Sequence, residues 1–265
     1  MRLYAIFGNP IAHSISPLLH NYTFQKLGFD GCYTKILVED GAKMRDIFLD
    51  LKLQGVNITV PHKEEAFRLA DEVLGIAKEI GAVNTWYYKD GKILAYNTDA
   101  PGFYESVKEY GFQKPLILGA GGTAKAIALY FKEMGYDPVI VNRSAGRLVY
   151  FLEKGFQAFT WDELETHGFD LIINTTSAGL KDESLPAPKE LLEKLFKEAK
   201  FAVDVIYNKT TPFLAMAQQF GLATKDGTDM LLYQGILAFE IFTDISFKKE
   251  EIEKVMRESL KLRAI

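Results

Sequence analysis

The chain has 265 residues, 48% of them hydrophobic and 25% charged, which is the composition of a globular protein with enough length for one large or two small cores. The net charge of −4 argues against a polyanion-binding face, so no nucleic-acid partner is expected. With Cys32 the only cysteine, no intrachain disulfide is possible, and a reducing, cytoplasmic setting is the natural reading.

Met1 to Gly8 has neither a long apolar run nor a small-residue cleavage site, so no signal peptide is read. No run reaches about 18 apolar residues, so no membrane-spanning helix is expected. The four histidines, His13, His20, His62 and His167, stand in no metal-ligand spacing, and no metal is expected.

In chain order, "LYAIFG" reads as a buried strand. "SPLLHNYTFQKLG" reads as a helix, with Ser16 as N-cap, Pro17 in the first turn and Gly28 as the stop. "CYTKILVE" is a strand in which Cys32 is expected to be a small core residue. "AKMRDIFLDLKLQG" is a helix, "VNITV" a third strand, and Pro61 leads into the helix "HKEEAFRLA". "EVLGIAKEIG" is read as another helix. Next comes an aromatic hairpin turning at Asp90-Gly91, a strong two-residue turn signal, with Trp86, Tyr87 and Tyr88 assigned to sheet packing. "DAPGFYESVKEYG" is a connecting helix and the candidate boundary.

Strand and helix alternate again in the second half. "KPLILGAGGTAKAIALYFKEMGY" is strand, glycine-rich turn and helix, and "PVIVNRSAGRLVYFLEKG" repeats that order. "DLIINTTSAG" and "AVDVIYN" are further buried strands. "GTDMLLYQGILAFEIFTD" and "KKEEIEKVMRESLKLR" are closing helices. Alternating strands and helices define an α/β fold. The expected division is residues 1–99 with 227–265 in one domain and 100–226 in the other.

The strongest local signal is an apolar strand running into Gly119, Ala120, Gly121, Gly122, Thr123 and Ala124 and then a helix. The first glycine permits the tight turn, and the second lets a pyrophosphate approach free N–H groups at a helix N-terminus. Ala124 replaces the third glycine, where close helix–strand packing tolerates it. About 20 residues further on, an NAD site would place an acid against the ribose 2′-hydroxyl. This chain instead carries Asn142, Arg143, Ser144 and Arg147. Guanidinium groups suit a 2′-phosphate, so the preferred cofactor is NADP.

Three features of the first half point to a ligand. Ser14 and Ser16 put two hydroxyls just ahead of a helix. Asn57 and Thr59 alternate with apolar residues and are expected on one strand face. Lys63 stands in a helical first turn, where a cation opposes the dipole. The segment "AVNTWYYKDGKILAYNTDAPG" adds Asn84 and Asp99 at the two ends of the hairpin, which would fold them together.

Seven motifs occur in order between Ser14 and Gln234: "SxSPxxHN", "NxTVPxK", "GAVNT", "NTDxxG", "GAGGTA", "NRSxxR" and "GxxMLxYQ". Together they resemble the shikimate dehydrogenase family, NADP-dependent enzymes of chorismate and aromatic amino acid biosynthesis. The resemblance implies an N-terminal α/β substrate-binding domain, a Rossmann-like NADP-binding domain, and C-terminal helices returning to the first. It implies that Ser14 and Ser16 bind a substrate carboxylate and that Thr59, Asn84 and Gln234 bind its hydroxyls, with Asn57 close by. Lys63 and Asp99 would be the acid–base pair for interconverting shikimate and 3-dehydroshikimate. Tyr207 would line the substrate site, and Val205 and Gly227 would join the glycine loop and the Asn142–Arg147 stretch at the cofactor. Beyond this small-molecule substrate the expected state is a monomer or homodimer without membrane association.

The chain departs from the family at "YNKTTP", Tyr207 to Pro212, where the family shows Tyr-x-Pro-x-x-Thr. His13 and His62 are expected in supporting or solvated positions, and Lys209 and Lys225 as solvated surface charges.

Overall fold

A computed structural model describes residues 1–262. Two compact units divide the chain: residues 1–102 with 232–265, and residues 103–231. The division falls inside two helices.

The first unit is built on a six-stranded mixed sheet. Its strands are β1 (Arg2–Gly8), β2 (Gly31–Leu37), β3 (Gly55–Ile58), β4 (Glu72–Val73), β5 (Thr85–Lys89) and β6 (Lys92–Tyr96), in the order β2-β1-β3-β5-β6-β4. β1 pairs in parallel with β2 and β3, whereas β3–β5 and β5–β6 are antiparallel. The β5–β6 turn has positive φ at Asp90 (51°) and Gly91 (81°), the backbone hand that suits a two-residue hairpin. Around the sheet lie α1 (Ser16–Lys26), α2 (Met44–Asp50), α3 (Lys63–Leu69), α4 (Ala77–Ile80) and the start of α5 (Asp99–Val107).

The second unit has six parallel strands: β7 (Pro115–Leu118), β8 (Val139–Val141), β9 (Gln157–Phe159), β10 (Leu171–Asn174), β11 (Phe201–Asp204) and β12 (Ala223–Lys225). Their order is β12-β11-β10-β7-β8-β9. Counted within the unit this is 3-2-1-4-5-6, the doubly wound order whose topological switch lies beside the first strand. Its helices are α6 (Gly122–Glu133), α7 (Val149–Glu153), α8 (Lys189–Phe196) and α9 (Pro212–Gln219). α10 (Thr228–Phe242) and α11 (Lys249–Lys261) close the chain. The Arg263 end of the expected closing helix lies outside the described residues.

Several sequence expectations are corrected. "EVLGIAKEIG" is the short strand β4 followed by the single-turn α4, because Gly75 and Gly81 take positive φ and interrupt a continuous helix. Ser16 is the first residue of α1 rather than its cap; Ile15 holds the cap position, and the Ser16 N–H reaches back to Ser14 Oγ at 3.3 Å. β3 ends at Ile58, so Thr59 lies beyond the strand, its N–H held by the Phe7 carbonyl at 2.9 Å. Cys32 is exposed, not in the core: on the edge strand β2 the inward position goes to its neighbour Tyr33. β9, β12, α8 and α9 have no counterpart in the sequence reading. The first two are three-residue edge strands, and the helices span only eight residues each, less than the stretch over which helical periodicity is read.

The first unit is tied together around Trp86. Its ring is fully buried against Phe48, and its Nε1–H donates to the Ala66 carbonyl of α3 at 3.1 Å. Burial of one such side chain is worth about 1.5–3 kcal/mol, and this bond fastens the hairpin to the helix that Lys63 opens. A second close fit lies at Gly102, where a Cβ would stand 2.6 Å from the Gln234 backbone nitrogen and 2.9 Å from its Cα. Gly102→Ala should therefore force α5 away from α10 and destabilise the protein by about 1–3 kcal/mol, read as a lower urea midpoint at unchanged m-value; an unmoved midpoint would contradict the packing.

Candidate active site

Hydrogen bonds tie together the two ends of the hairpin, Asn84-Thr85 and Asn97-Thr98. The Ile58 N–H donates to the Asn84 carbonyl at 2.8 Å, and the Asn84 N–H donates to Tyr96 at 3.0 Å. The Asn84 side chain spans both ends: Oδ1 accepts from the Thr98 N–H at 2.8 Å, and Nδ2 donates to Thr98 Oγ1 at 2.9 Å. Asn97 then caps α5, its Oδ1 accepting from the Asp99 and Ala100 N–H groups at 3.1 and 3.2 Å. Asp99 is thereby fixed as the first residue of its helix.

Lys63 opens α3, and its carbonyl accepts from the Val83 N–H at 3.0 Å, immediately before Asn84. Its Nζ reaches Asp99 Oδ2 at 2.5 Å. The two side chains retain 32% and 19% of their exposure, so the pair is accessible to a small ligand. Asp99 supplies the anion that offsets a cation in a helical first turn.

Ser14 and Ser16 lie side by side, with Ser14 Oγ donating to Ser16 Oγ at 3.2 Å. Since no side-chain hydroxyl is spent on capping α1, both remain for other partners. Asn57 is 5% exposed and its amide is fully engaged, accepting from the Tyr33 hydroxyl at 2.7 Å and donating to Thr85 Oγ1 at 3.0 Å. Thr59 and Gln234 are half-buried, Gln234 at the α5 crossing. Tyr33 and His20 were missed by sequence reasoning. They stack with centroids 4.4 Å apart at 7°. Burial raises the Tyr33 phenol well above its ordinary range and lowers His20 to about 3. His20 was weighed only for metal-ligand spacing and as a letter in "SxSPxxHN", and the partner of Tyr33 is 24 residues away, so no local signal marks either. His62 is also buried, its Nε2 2.8 Å from the Val38 carbonyl.

The second unit holds the glycine loop. Gly119 has φ +109°, and a Cβ there would meet Thr175 Oγ1 at 2.8 Å and Thr176 Cγ2 at 2.9 Å. At Gly121 and Gly122 the space is open, and α6 begins with no side chain capping its N–H groups. A bare helix N-terminus beside the topological switch fits a dinucleotide pyrophosphate. Ala124 is fully buried, as close packing requires. After β8, Asn142 Nδ2 donates to the Ser144 carbonyl at 3.0 Å and shapes the turn. Arg143 and Arg147 are exposed, and their guanidinium groups have no ion-pair or hydrogen-bond partner among the described residues.

The divergent loop is anchored by Asp204, which is fully buried. It accepts from Ile206 N at 2.9 Å, Asn174 Nδ2 at 2.9 Å and Thr211 Oγ1 at 2.7 Å; burial still raises its carboxyl above the usual range. Thr211 also caps α9, and Asn208 takes φ +62°, so the shortened loop closes without the family's proline. Tyr207 lies half-buried in this loop. Gly227 presses on Val205, whose carbonyl any Cβ would strike. Lys209 and Lys225 are not simply solvated, because their ammonium groups satisfy buried-side carbonyls: Lys209 binds Gly179 O at 2.7 Å, and Lys225 binds Ser106 O and Asp229, each at 2.8 Å.

Among the described residues no group of three or more His, Cys, Asp or Glu side chains could hold a metal, and no helix is long and apolar enough to cross a membrane.

A polar hairpin-borne ion pair on a mixed α/β unit, joined in one chain to a doubly wound dinucleotide-type unit, is the construction of a two-domain nucleotide-dependent oxidoreductase. Comparison with known proteins gives the family. Residues 6–86 match the shikimate dehydrogenase substrate binding domain, and residues 227–260 match the shikimate 5'-dehydrogenase C-terminal domain. The shikimate dehydrogenase (NADP(+)) of Helicobacter hepaticus is 48% identical over 252 residues, 94% of either chain. The structure of shikimate 5-dehydrogenase from Thermus thermophilus in complex with NADP(H) and shikimate is 34% identical, with a TM-score of 0.85 over 98% of this chain and all of that one. A Listeria monocytogenes shikimate 5-dehydrogenase in complex with shikimate and NAD is 30% identical, with a TM-score of 0.84 over 97% and 96%. The chain belongs to the shikimate dehydrogenase family.

The lowered His20 value gives a signed pH prediction. The unfolded imidazole takes up a proton near 6.5 and the folded one only near 3, so acid favours unfolding across that window. Stability should fall below pH 6.5 by up to about 1.4 kcal/mol per pH unit from this group, and His20→Phe should remove that slope in urea titrations. Parallel slopes in the two proteins would contradict a buried neutral His20.

Proposed function

We propose that this chain is an NADP-dependent shikimate dehydrogenase that interconverts shikimate and 3-dehydroshikimate in aromatic amino acid biosynthesis. The single observation that carries the mechanism is the Lys63–Asp99 pair, closed at 2.5 Å and still accessible. When bound, NADP supplies the acceptor for the hydride that leaves the alcohol carbon. In oxidation the neutral amine form of Lys63 takes the hydroxyl proton and the ammonium so formed pairs with Asp99; in reduction that ammonium gives its proton to the oxygen. Asp99 orients that amine and balances its charge. Ser14 and Ser16 hold the substrate carboxylate. Asn84, Thr59 and Gln234 meet its hydroxyls, so an analogue lacking one leaves a polar group unpaired and is rejected. Asn57 supports this set from behind, through its saturated amide.

Gly119 to Ala124 would carry the pyrophosphate, and Arg143 and Arg147, with Asn142 and Ser144, the 2′-phosphate. Val205, pressed on Gly227, would offer its backbone to the cofactor. The free Cys32 fits a reducing cytoplasm. A second reading, a broader dehydrogenase using NAD and quinate, draws on the Listeria relative, whose structure holds NAD. The two exposed guanidinium groups favour NADP.

Reduced-nicotinamide absorbance should rise with shikimate and NADP, and much less with NAD or quinate. Arg143→Ala should raise the KM for NADP about tenfold or more and leave that for NAD unchanged. Equal use of both cofactors would support the broader dehydrogenase, and no turnover with any pair would overturn the enzyme assignment.

A further inference from the structure

The residue ahead of Lys63 breaks a local rule. His62 holds the cap position of α3, where Ser, Thr, Asp or Asn would turn a side chain back onto the free N–H groups of the first turn. The His62 side chain makes no such bond. Its imidazole reaches instead to the Val38 carbonyl just past β2, with Nε2 2.8 Å from that oxygen. A carbonyl only accepts, so Nε2 carries the hydrogen and the bond sets the ring's orientation. The residue is 5% exposed, which keeps water from competing for that bond. Local rules broken in this way gather at functional sites.

The backbone of His62 is a joint. Its N–H donates to the Thr59 carbonyl at 3.0 Å, and its carbonyl accepts from the Ala66 N–H at 2.8 Å. Lys63 follows directly. Two other bonds hold the head of α3, and both come from the hairpin side. The Val83 N–H donates to the Lys63 carbonyl at 3.0 Å, and Trp86 Nε1 donates to the Ala66 carbonyl at 3.1 Å. Two attachments on one side leave the helix head free to swing about the line that joins them. β1 and β3 lie between β2 and β5 in the sheet, so the bond to Val38 comes from the other side and stops that swing. The far end of α3 is held separately, by Arg45 Nη1 on the Leu69 carbonyl at 2.8 Å. Loss of the His62 bond therefore acts on the head of the helix, where Lys63 stands. Gly41 keeps the space for the ring: a Cβ there would stand 2.8 Å from His62 Nδ1.

We propose that His62 is a positioning residue for Lys63, its bond to Val38 setting where the Lys63 amine stands against Asp99 and the reacting hydroxyl. It acts through Lys63 and carries no proton of the reaction, because its Nε2 hydrogen is committed to Val38. The proposal rests on the reading of Lys63 and Asp99 as the acid–base pair.

The test compares His62→Gln, which keeps an N–H donor at a similar reach, with His62→Met, which has the same length and no donor. A misplacement of about 1 Å can cost a hundredfold in rate, so a fraction of that shift suffices for a clear effect. In His62→Met, kcat for shikimate oxidation at saturating NADP should fall about tenfold, and His62→Gln should recover most of it. The KM for NADP should not change in either. The solvent deuterium isotope effect on kcat should grow in His62→Met, because a misplaced amine slows the proton step. A smaller folded fraction lowers kcat and leaves that isotope effect as it was. Equal kcat in the two variants, or an isotope effect that stays at the value of the unaltered chain, would overturn the role of His62. Where His62→Met does not fold, Gly41→Ala presses on the ring and keeps every donor. It should show the same lower kcat and larger isotope effect, and unaltered values there would overturn the proposal. Failure of the unaltered chain to turn over shikimate would overturn the functional reading and the proposal with it.

Discussion

The Lys63–Asp99 contact exists because a hairpin returns both its ends to the head of one helix. Two groups 36 residues apart meet only when β5 and β6 hold register and α3 is clamped to them. Trp86 supplies the clamp by filling the space against Phe48 and bonding the α3 backbone. Asn84 supplies the closure, by tying the segment before β5 to the residue ahead of Asp99. Neither residue needs to touch a ligand to be indispensable, since a shift of about 1 Å in a reacting group is enough to lose much of its effect.

Close backbone approaches impose a second constraint. Gly102 lets α5 meet α10 at Gln234, Gly119 lets the loop pass Thr175 and Thr176, and Gly227 lets the chain lie on Val205. These glycines belong to three of the motifs that mark the family. Each is required by space within its own unit, whatever ligand the motif serves. The motif "NTDxxG" is then one device with two parts: an aspartate for chemistry and, three residues on, the gap that seats the helix carrying Gln234.

Much of this was legible in the sequence because it is local. A strand, three glycines and a helix announce a dinucleotide loop within a few residues, and Asp90-Gly91 announces a hairpin. The ordering of Asn84, Asp99 and Lys63 followed from that hairpin. What stayed hidden depends on partners distant in the chain. Tyr33 reads as one aromatic residue in a strand until the fold lays Asn57 and His20 beside it. Cys32, expected in the core, faces outward because an edge strand's facing is decided by the sheet rather than by residue type. Ser16 satisfied every rule for an N-cap, but the helix starts one residue earlier than that rule places it, with Ile15 at the cap and Ser14 and Ser16 side by side. Lys209 and Lys225 looked like surface charges because the carbonyls they satisfy belong to other segments.

The central claim is that Lys63 and Asp99 act as one acid–base unit. The most direct measurement is kcat for shikimate oxidation in Lys63→Ala, Asp99→Ala and the double variant, with NADP binding followed separately by fluorescence. Each single change should lower kcat by about 10²–10⁴-fold, and the double variant should be little worse than the poorer single one, as expected of groups that work as a unit. NADP affinity should be unaffected throughout. Losses that multiply in the double variant, or a single variant that keeps its kcat, would contradict the account.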